Sequence, residues 1–168
     1  MDYEYGGFWR RAFAFLIDNA ILTFIFVWFF ILGALALGLS AAFNYNDLSY
    51  GRLTGLTIGY LVIYHLSMAL IGMLYFTYFH GIAGQTPGKM VLRLKVLRID
   101  GRDLNLGIGF LRWVGYIVSG LLFHLGFIWI AFNEKKRGWH DMIAGTIVVR
   151  TKTQMTVSET VLESVPAD

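Results

Sequence analysis

Apolar residues in this chain run on with few interruptions. Residues 12–39, 53–79 and 106–132 form three almost continuously hydrophobic stretches. Each exceeds the roughly 20 residues that carry an α-helix across the hydrocarbon of a bilayer. The pattern predicts an all-α polytopic membrane protein in which the first two runs are long transmembrane helices. The third run is weaker as a single span, because Arg112, Gly115, Gly120, His124 and Gly126 interrupt it. It reads best as a re-entrant helical hairpin split near 120–126, with a third transmembrane helix as the alternative. Irregular backbone at membrane depth is tolerated where protein packs around it. A period of two appears at Leu92, Leu94 and Val96, which alternate with Arg93 and Lys95 and are followed by a turn at Asp100-Gly101. "GTIVVRT", from Gly145, is the other β-like run. Neither strand is stable alone. The two are therefore expected to pair as a small cytoplasmic two-strand element.

Composition agrees with the pattern. Of 168 residues, 57% are hydrophobic and 15% charged, against about 25% charged in soluble domains. This leaves one membrane domain, residues 1–152, and a polar tail, 153–168, with neither helical nor strand period and an expectation of disorder. The absence of cysteine excludes disulfides and thiolate metal sites without fixing a compartment. "RRAF" at 10–13 has the look of a twin-arginine export signal. The run behind it is about twice too long for a signal peptide and contains Asp18, so it reads as a retained helix.

Positive charge orients the chain. Arg10 and Arg11 precede the first run, and the loop at 40–52 carries only Arg52. Residues 80–105 carry Lys89, Arg93, Lys95, Arg98 and Arg102, and residues 133–168 carry Lys135, Lys136, Arg137, Arg150 and Lys152. Basic loops stay in the cytoplasm. Both termini and the 80–105 segment are thus expected there, which a third full crossing would forbid and a hairpin allows.

"GQTPGK" at 84–89 raises the question of a nucleotide. A phosphate-binding loop needs four residues between its first glycine and Gly-Lys, then Ser or Thr. Here Gly84 and Gly88 are separated by three, Met90 replaces the hydroxyl, and Pro87 removes an N–H donor. The segment reads instead as the turn closing a transmembrane helix, with Lys89 at the lipid headgroups.

Asp18 is the most informative polar residue, because a carboxylate within a transmembrane helix costs roughly 2.5–3.5 kcal/mol on insertion scales. Arg11 shares its helix face but lies about 10.5 Å away along the axis and leans away from it. Each is expected to pair elsewhere, Arg11 with Asp141, and Asp18 with Lys89, Gln85 or Arg112. Arg11, Arg112, Asp18 and Asp141 sum to zero charge. Such a cluster either fixes helix packing or offers Asp18 as a protonatable site. On the second run, Thr57, Tyr60, Tyr64, Ser67, Tyr75 and Tyr78 form a hydroxyl stripe beside His65. That stripe lines a polar path or, as the plainer alternative, supplies interhelical hydrogen bonds and belt anchors. Gly55 and Gly59 form a small-xxx-small pair able to seat another helix. The histidines show no ligand spacing, and His140-Asp141 is a weak catalytic signal. No enzyme, metal, cofactor, nucleotide or nucleic acid is indicated; the bilayer is the expected partner.

"GFWRRAFAFLID", "GQTPGKMVLRLKVLRIDG", Leu111-Arg112 and "RGWHDMIAGTIVV", in that order and covering about residues 6–150, resemble the RDD family of bacterial membrane proteins. The resemblance implies that the family's named arginine and two aspartates are Arg11, in an Arg-x-x-Ala-x-x-x-Asp pattern, Asp18 and Asp141. It also makes Gly84, Thr86, Gly88 and Lys89 a loop signature at the membrane surface, and it implies a multi-pass protein of the bacterial cytoplasmic membrane. Some members have been proposed to exchange cations for protons, so the first expectation is a small transporter of cations, protons or a small solute that uses the intramembrane Arg/Asp cluster, and a protomer this small would need a homo-oligomer to enclose a path. The alternative is a non-transporting scaffold or accessory protein that binds a partner or anionic lipid; an enzyme acting on lipid ranks well behind both.

The charge distribution makes one expectation directly measurable. A reporter fused at Asp168 should be active only in its cytoplasmic form; periplasmic activity would restore three full crossings.

Overall fold

The computed structural model describes residues 4–45, 49–100, 102–121 and 125–151. The expected turn residue Gly101, His124 and the tail at 153–168 lie outside the described residues. The first apolar run forms α1 (Phe8–Phe43), 36 residues, or about 54 Å at 1.5 Å per residue. The second forms α2 (Tyr50–Tyr78) and continues through a π-helical turn (Phe79–Ala83) that ends at Gly84 with φ 65°. Both are long and apolar enough to cross a membrane. The third run is two helices, α4 (Leu106–Leu121) and α5 (Leu125–Phe132), bent by 98° from one another.

Two one-turn helices, one before α4 and one after α5, are each set by a cap. In α3 (Pro87–Val91), Thr86 is the N-cap and accepts the Lys89 N–H at 3.4 Å, and Pro87 takes the first turn, where no N–H is needed. In α6 (Trp139–Ile143), Asp141 accepts the Gly138 N–H at 3.0 Å. The strands β1 (Leu94–Arg98) and β2 (Thr146–Arg150) pair antiparallel, with Val96 opposite Val148 and Arg98 opposite Thr146. The expected strand from Leu92 therefore starts two residues late. Leu92 caps α3 and Arg93 turns through φ 54°, and this uses both residues before pairing begins.

The amino-terminal segment covers the other edge of β2. Tyr5 bridges Val149, the Gly6 N–H donates to the Val148 carbonyl at 2.9 Å, and Glu4 pairs with Arg150. The start of the chain, the segment after α2 and the segment after α5 thus meet at one end of the molecule. The third run leaves from that end and returns to it.

Burial is inverted relative to a soluble protein. The buried positions of α1 are Arg11, Ala14, Asp18 and Leu22, a 3–4 stripe facing inward. Trp9, Phe13, Leu16, Phe24 and Trp28 are exposed. Past Leu22, α1 and α2 hold one another through Tyr60, whose hydroxyl donates to the Phe30 carbonyl at 2.7 Å, and Tyr64, which donates to Phe26 at 3.4 Å. Gly55 and Gly59, expected to seat a helix, have nothing packed against them among the described residues. The dry core is small: Ala14, Leu94, Val96 and Val148, with Leu92 and Leu104 against it.

Residues opposed across an antiparallel pair lie within disulfide reach, and the chain has no cysteine of its own. Tyr5→Cys with Val149→Cys should therefore form an intramolecular disulfide in oxidised membranes, visible as a gel-mobility change that reductant reverses. Tyr5→Cys with Tyr60→Cys should not. No cross-link in the first pair would contradict the covered edge of β2.

Candidate functional site

The site is built around Asp141. Its Oδ2 accepts from Arg11 Nη1 at 2.5 Å and from the Gly138 N–H at 3.0 Å. Its Oδ1 accepts from Arg112 Nη1 at 2.7 Å, with His140 Nε2 at 3.6 Å. Arg11 also donates through Nε to the Gly6 carbonyl at 2.9 Å, and Arg112 to the Thr146 hydroxyl. One carboxylate thereby ties α1, α4, α6, β2 and the amino-terminal segment together. Arg112 and Asp141 are fully buried. Burial alone would raise the Asp141 carboxyl. His140 where it is protonated, the arginines Arg11 and Arg112 at every pH, and the Gly138 N–H outweigh it and hold the group well below the usual carboxylate range. Burial pushes His140 down to about 3 against the pull of Asp141, with Arg112 and Arg11 adding to the fall. His140 is therefore neutral at physiological pH, so the two arginines carry the charge balance at Asp141.

Asp18 forms a second knot, and its partners differ from those expected. Oδ1 accepts from the Tyr75 hydroxyl at 2.9 Å and the Gly88 N–H at 2.8 Å, and Oδ2 accepts from the Thr86 hydroxyl at 2.5 Å. Lys89, Gln85 and Arg112 are not its hydrogen-bonding partners. Gln85 reaches Thr151, and Arg112 is committed to Asp141 and Thr146. The reason lies in α3, whose first turn delivers a hydroxyl and a backbone N–H to one place. Gly88 is required there, because a Cβ would collide with the Ala14 carbonyl of α1. Gly84 supplies the left-handed residue that ends α2, and its carbonyl accepts the Val96 N–H at 2.7 Å. The loop signature is thus the receptacle for an intramembrane aspartate.

Lys89 is the clearest correction. It does not reach the headgroups; it is 6% exposed. Its ammonium lies 2.6 Å from His80 Nε2 and 3.3 Å from the Tyr116 hydroxyl. His80 Nδ1 donates to the Phe76 carbonyl at 2.8 Å, which leaves Nε2 as the acceptor for Lys89. Burial pushes Lys89 well below the usual lysine range, and the Arg112 charge adds to that. Sequence reasoning missed His80 and Tyr116. The available signal was Tyr116 one helical turn beyond Arg112, and a histidine in the run that precedes the glycine loop.

The hydroxyl stripe lies apart from this site, except at Tyr75. Thr57 bonds to the Leu53 carbonyl at 3.0 Å and His65 Nδ1 to Leu61 at 2.7 Å. Tyr60 and Tyr64 are turned onto α1, and Ser67 lines a shallow groove beside them. Thr57, Tyr60, Tyr64 and His65 thus satisfy helix backbone carbonyls. The predicted cluster residues Arg11, Asp18, Lys89 and Arg112 converge, together with Tyr116 and His140, on one cavity of about 230 Å³. Asp141 sits behind its wall.

Two apolar helices, a bent third segment and a buried arginine–aspartate core define a polytopic membrane protein. The RDD family model matches residues 5–145, and the chain belongs to that family. It is 36% identical over 146 residues to the uncharacterized protein YxaI of Bacillus subtilis (strain 168), covering 85% of this chain and 95% of the relative. It is 30% identical over 154 residues to the uncharacterized membrane protein YteJ of the same organism, covering 90% and 85%. A third relative, the uncharacterized protein RP437 of Rickettsia prowazekii (strain Madrid E), is 30% identical over 110 residues, covering 64% and 60%. No solved structure matches.

Removing one partner from a buried ion network leaves a charge uncompensated, at about 3–5 kcal/mol. Asp141→Ala and Arg112→Ala should each lower the unfolding midpoint in detergent sharply, and the double variant should lose much less than the sum. Additive losses would dissolve the coupling.

Stability should also fall on acidification. The unfolded His140 imidazole binds a proton near 6.5 and the folded one only at about 3, so between those values the unfolded chain binds more protons. Asp141, depressed from 3.8, contributes stability above its unfolded value and loses it as pH falls through the folded one. His140→Gln should flatten the upper part of this profile while leaving the lower part. An unchanged slope between pH 6 and about 4 would remove His140 from the account.

Proposed function

We propose that this chain is a non-transporting, non-enzymatic membrane accessory protein. Its two long helices anchor a rigid module at one membrane surface, and that module engages a partner or anionic lipid. The observation that carries this reading is the state of Asp18. An exchanging acid needs oxygens open to the moving ion. Here Oδ1 already accepts two hydrogen bonds and Oδ2 a third at 2.5 Å. Such an aspartate serves as a staple between α1, α2 and α3.

The remaining geometry supports the same reading. The α2 hydroxyls of Thr57, Tyr60 and Tyr64 are absorbed by backbone carbonyls, which favours a helical hairpin over a conduit. Arg93, Lys95 and Arg102 are exposed at the end that carries the sheet. Basic residues beside a bilayer gain about 1 kcal/mol each from anionic lipid. With that end in the cytoplasm of a bacterial cell, as the charge rule requires, the module faces the anionic leaflet and cytoplasmic partners. A cation or proton carrier is the second reading, favoured by the buried Lys89–His80–Tyr116 chain, and it requires a homo-oligomer.

Proteoliposome flux separates the two. Wild type and Asp18→Asn, reconstituted to equal density, should both give no cation- or proton-coupled flux above empty liposomes. Coupled flux in wild type that disappears in Asp18→Asn would overturn the accessory reading in favour of the carrier.

A further inference from the structure

Beside the two aspartate knots the site holds an excess of unused donors. Arg11 and Arg112 share a single carboxylate. Arg11 Nη2 and Arg112 Nε and Nη2 are buried with no hydrogen-bond partner among the described residues. The Tyr116 hydroxyl interacts with Arg112, but neither nitrogen has a partner in hydrogen-bonding geometry. Both arginines, with Lys89, line the 230 Å³ cavity. The one carboxylate on the cavity wall, Asp18, has its oxygens filled by Tyr75, Thr86 and Gly88. Buried donors in native proteins are almost always paired. Two guanidinium groups and an ammonium on residues that line one space suit a tetrahedral oxyanion, which offers more acceptor oxygens than a carboxylate.

The rest of the wall is apolar: Phe15, Phe127, Ile128 and Ile130. Ile128 is also 43% exposed on the outer surface, so the cavity has a greasy mouth on the face that the apolar helices present to lipid. A free inorganic ion would gain nothing from that wall.

We propose that this cavity binds one phosphate group carried on an apolar chain, with the phosphate on Arg11, Arg112 and Lys89 and the chain leaving past Phe127 and Ile128. The inference deepens the anionic-lipid branch of the accessory reading and rests on it. Equilibrium binding tests it without reference to flux, so either can fail while the other stands.

The experiment uses delipidated full-length protein in a neutral detergent and three probes: dihexanoyl phosphatidic acid, dihexanoylglycerol as tail alone, and inorganic phosphate as head alone. Melting shifts against concentration give the affinities. Phosphatidic acid should bind saturably and at least about tenfold tighter than either fragment, the factor expected when charge-assisted bonds and apolar contact act together. Lys89→Gln should weaken it about tenfold. Because Lys89 also bonds to His80, two cavity-filling variants guard against misfolding: Ala12→Phe, inside the cavity, and Ile128→Trp, at its mouth. Each keeps every charge, and either one that melts normally without probe should lose binding. Three results would overturn the proposal. One is no saturable shift with any probe, which would assign the spare donors to water. Another is inorganic phosphate binding as tightly as the lipid. The third is undiminished binding in the cavity-filling variants.

Discussion

The carboxylate of Asp141 is the constraint on which the rest of this structure depends. A lone charge is too costly to bury in an apolar surrounding, so it must collect partners from wherever the chain can supply them. Here the partners are Arg11, from the first turns of α1, and Arg112, from the middle of α4. Neither arginine can be withdrawn without exposing the others to the same penalty. The third apolar run is therefore held by its charged interruption, and its departure and return at one end follow from that anchor. β2 starts five residues after Asp141, and its first residue, Thr146, takes the remaining hydrogen bond of Arg112 Nη1. The sheet is thus registered against the ion network and has little hydrophobic core of its own.

Asp18 solves the same problem with different chemistry. It lies in the same stripe as Arg11, yet it is satisfied by neutral donors: two hydroxyls and a backbone N–H. The helix-capping geometry of α3 makes this possible. A capping threonine whose oxygen accepts from Lys89 N still has its own proton to give, and it gives it to Asp18. The close approach of α3 to α1, with no room for a side chain at Gly88, then fixes the first helix against the loop that follows the second. Two aspartates on the two sides of one cavity thus lock its walls by independent means.

Much of this was legible in the sequence, and the limits are physical. Run length gave both long helices, and the clustering of Arg112 with glycines marked the third run as broken. Alternation at Leu94 and Val96 located β1. The Arg11–Asp141 pair followed from charge and helix geometry, because in a membrane there are few other places for either to go. Charge counting misses the partners of Asp18 because it looks for cations, whereas hydroxyls and backbone amides carry no charge to count. The burial of Lys89 escapes the sequence for a similar reason. A lysine beside a glycine turn ordinarily snorkels to water, and nothing local reveals that the π-helical turn at Phe79–Ala83 aims His80 inward to meet it. The open small-residue face at Gly55 and Gly59 shows that spacing alone cannot say whether a neighbour exists.

The inverted burial connects these points. Because lipid replaces water around α1 and α2, apolar side chains gain nothing by turning inward. The polar groups are then what the fold must enclose, and packing is directed by hydrogen bonds and charge. Such a fold is specified at a few atoms. Its apolar surface can vary so long as it stays apolar, while Arg11, Asp18, Gly88, Arg112 and Asp141 each occupy positions where neither size nor charge can change alone. The same economy explains the asymmetry of the interior. Each aspartate has both oxygens engaged, but the arginines retain donors that the protein itself does not fill. A network built only for packing has no need of that surplus, since an arginine and an aspartate already balance in charge. Arg11 and Arg112 are also among the residues that line the cavity, so the surplus and the cavity share one part of the fold.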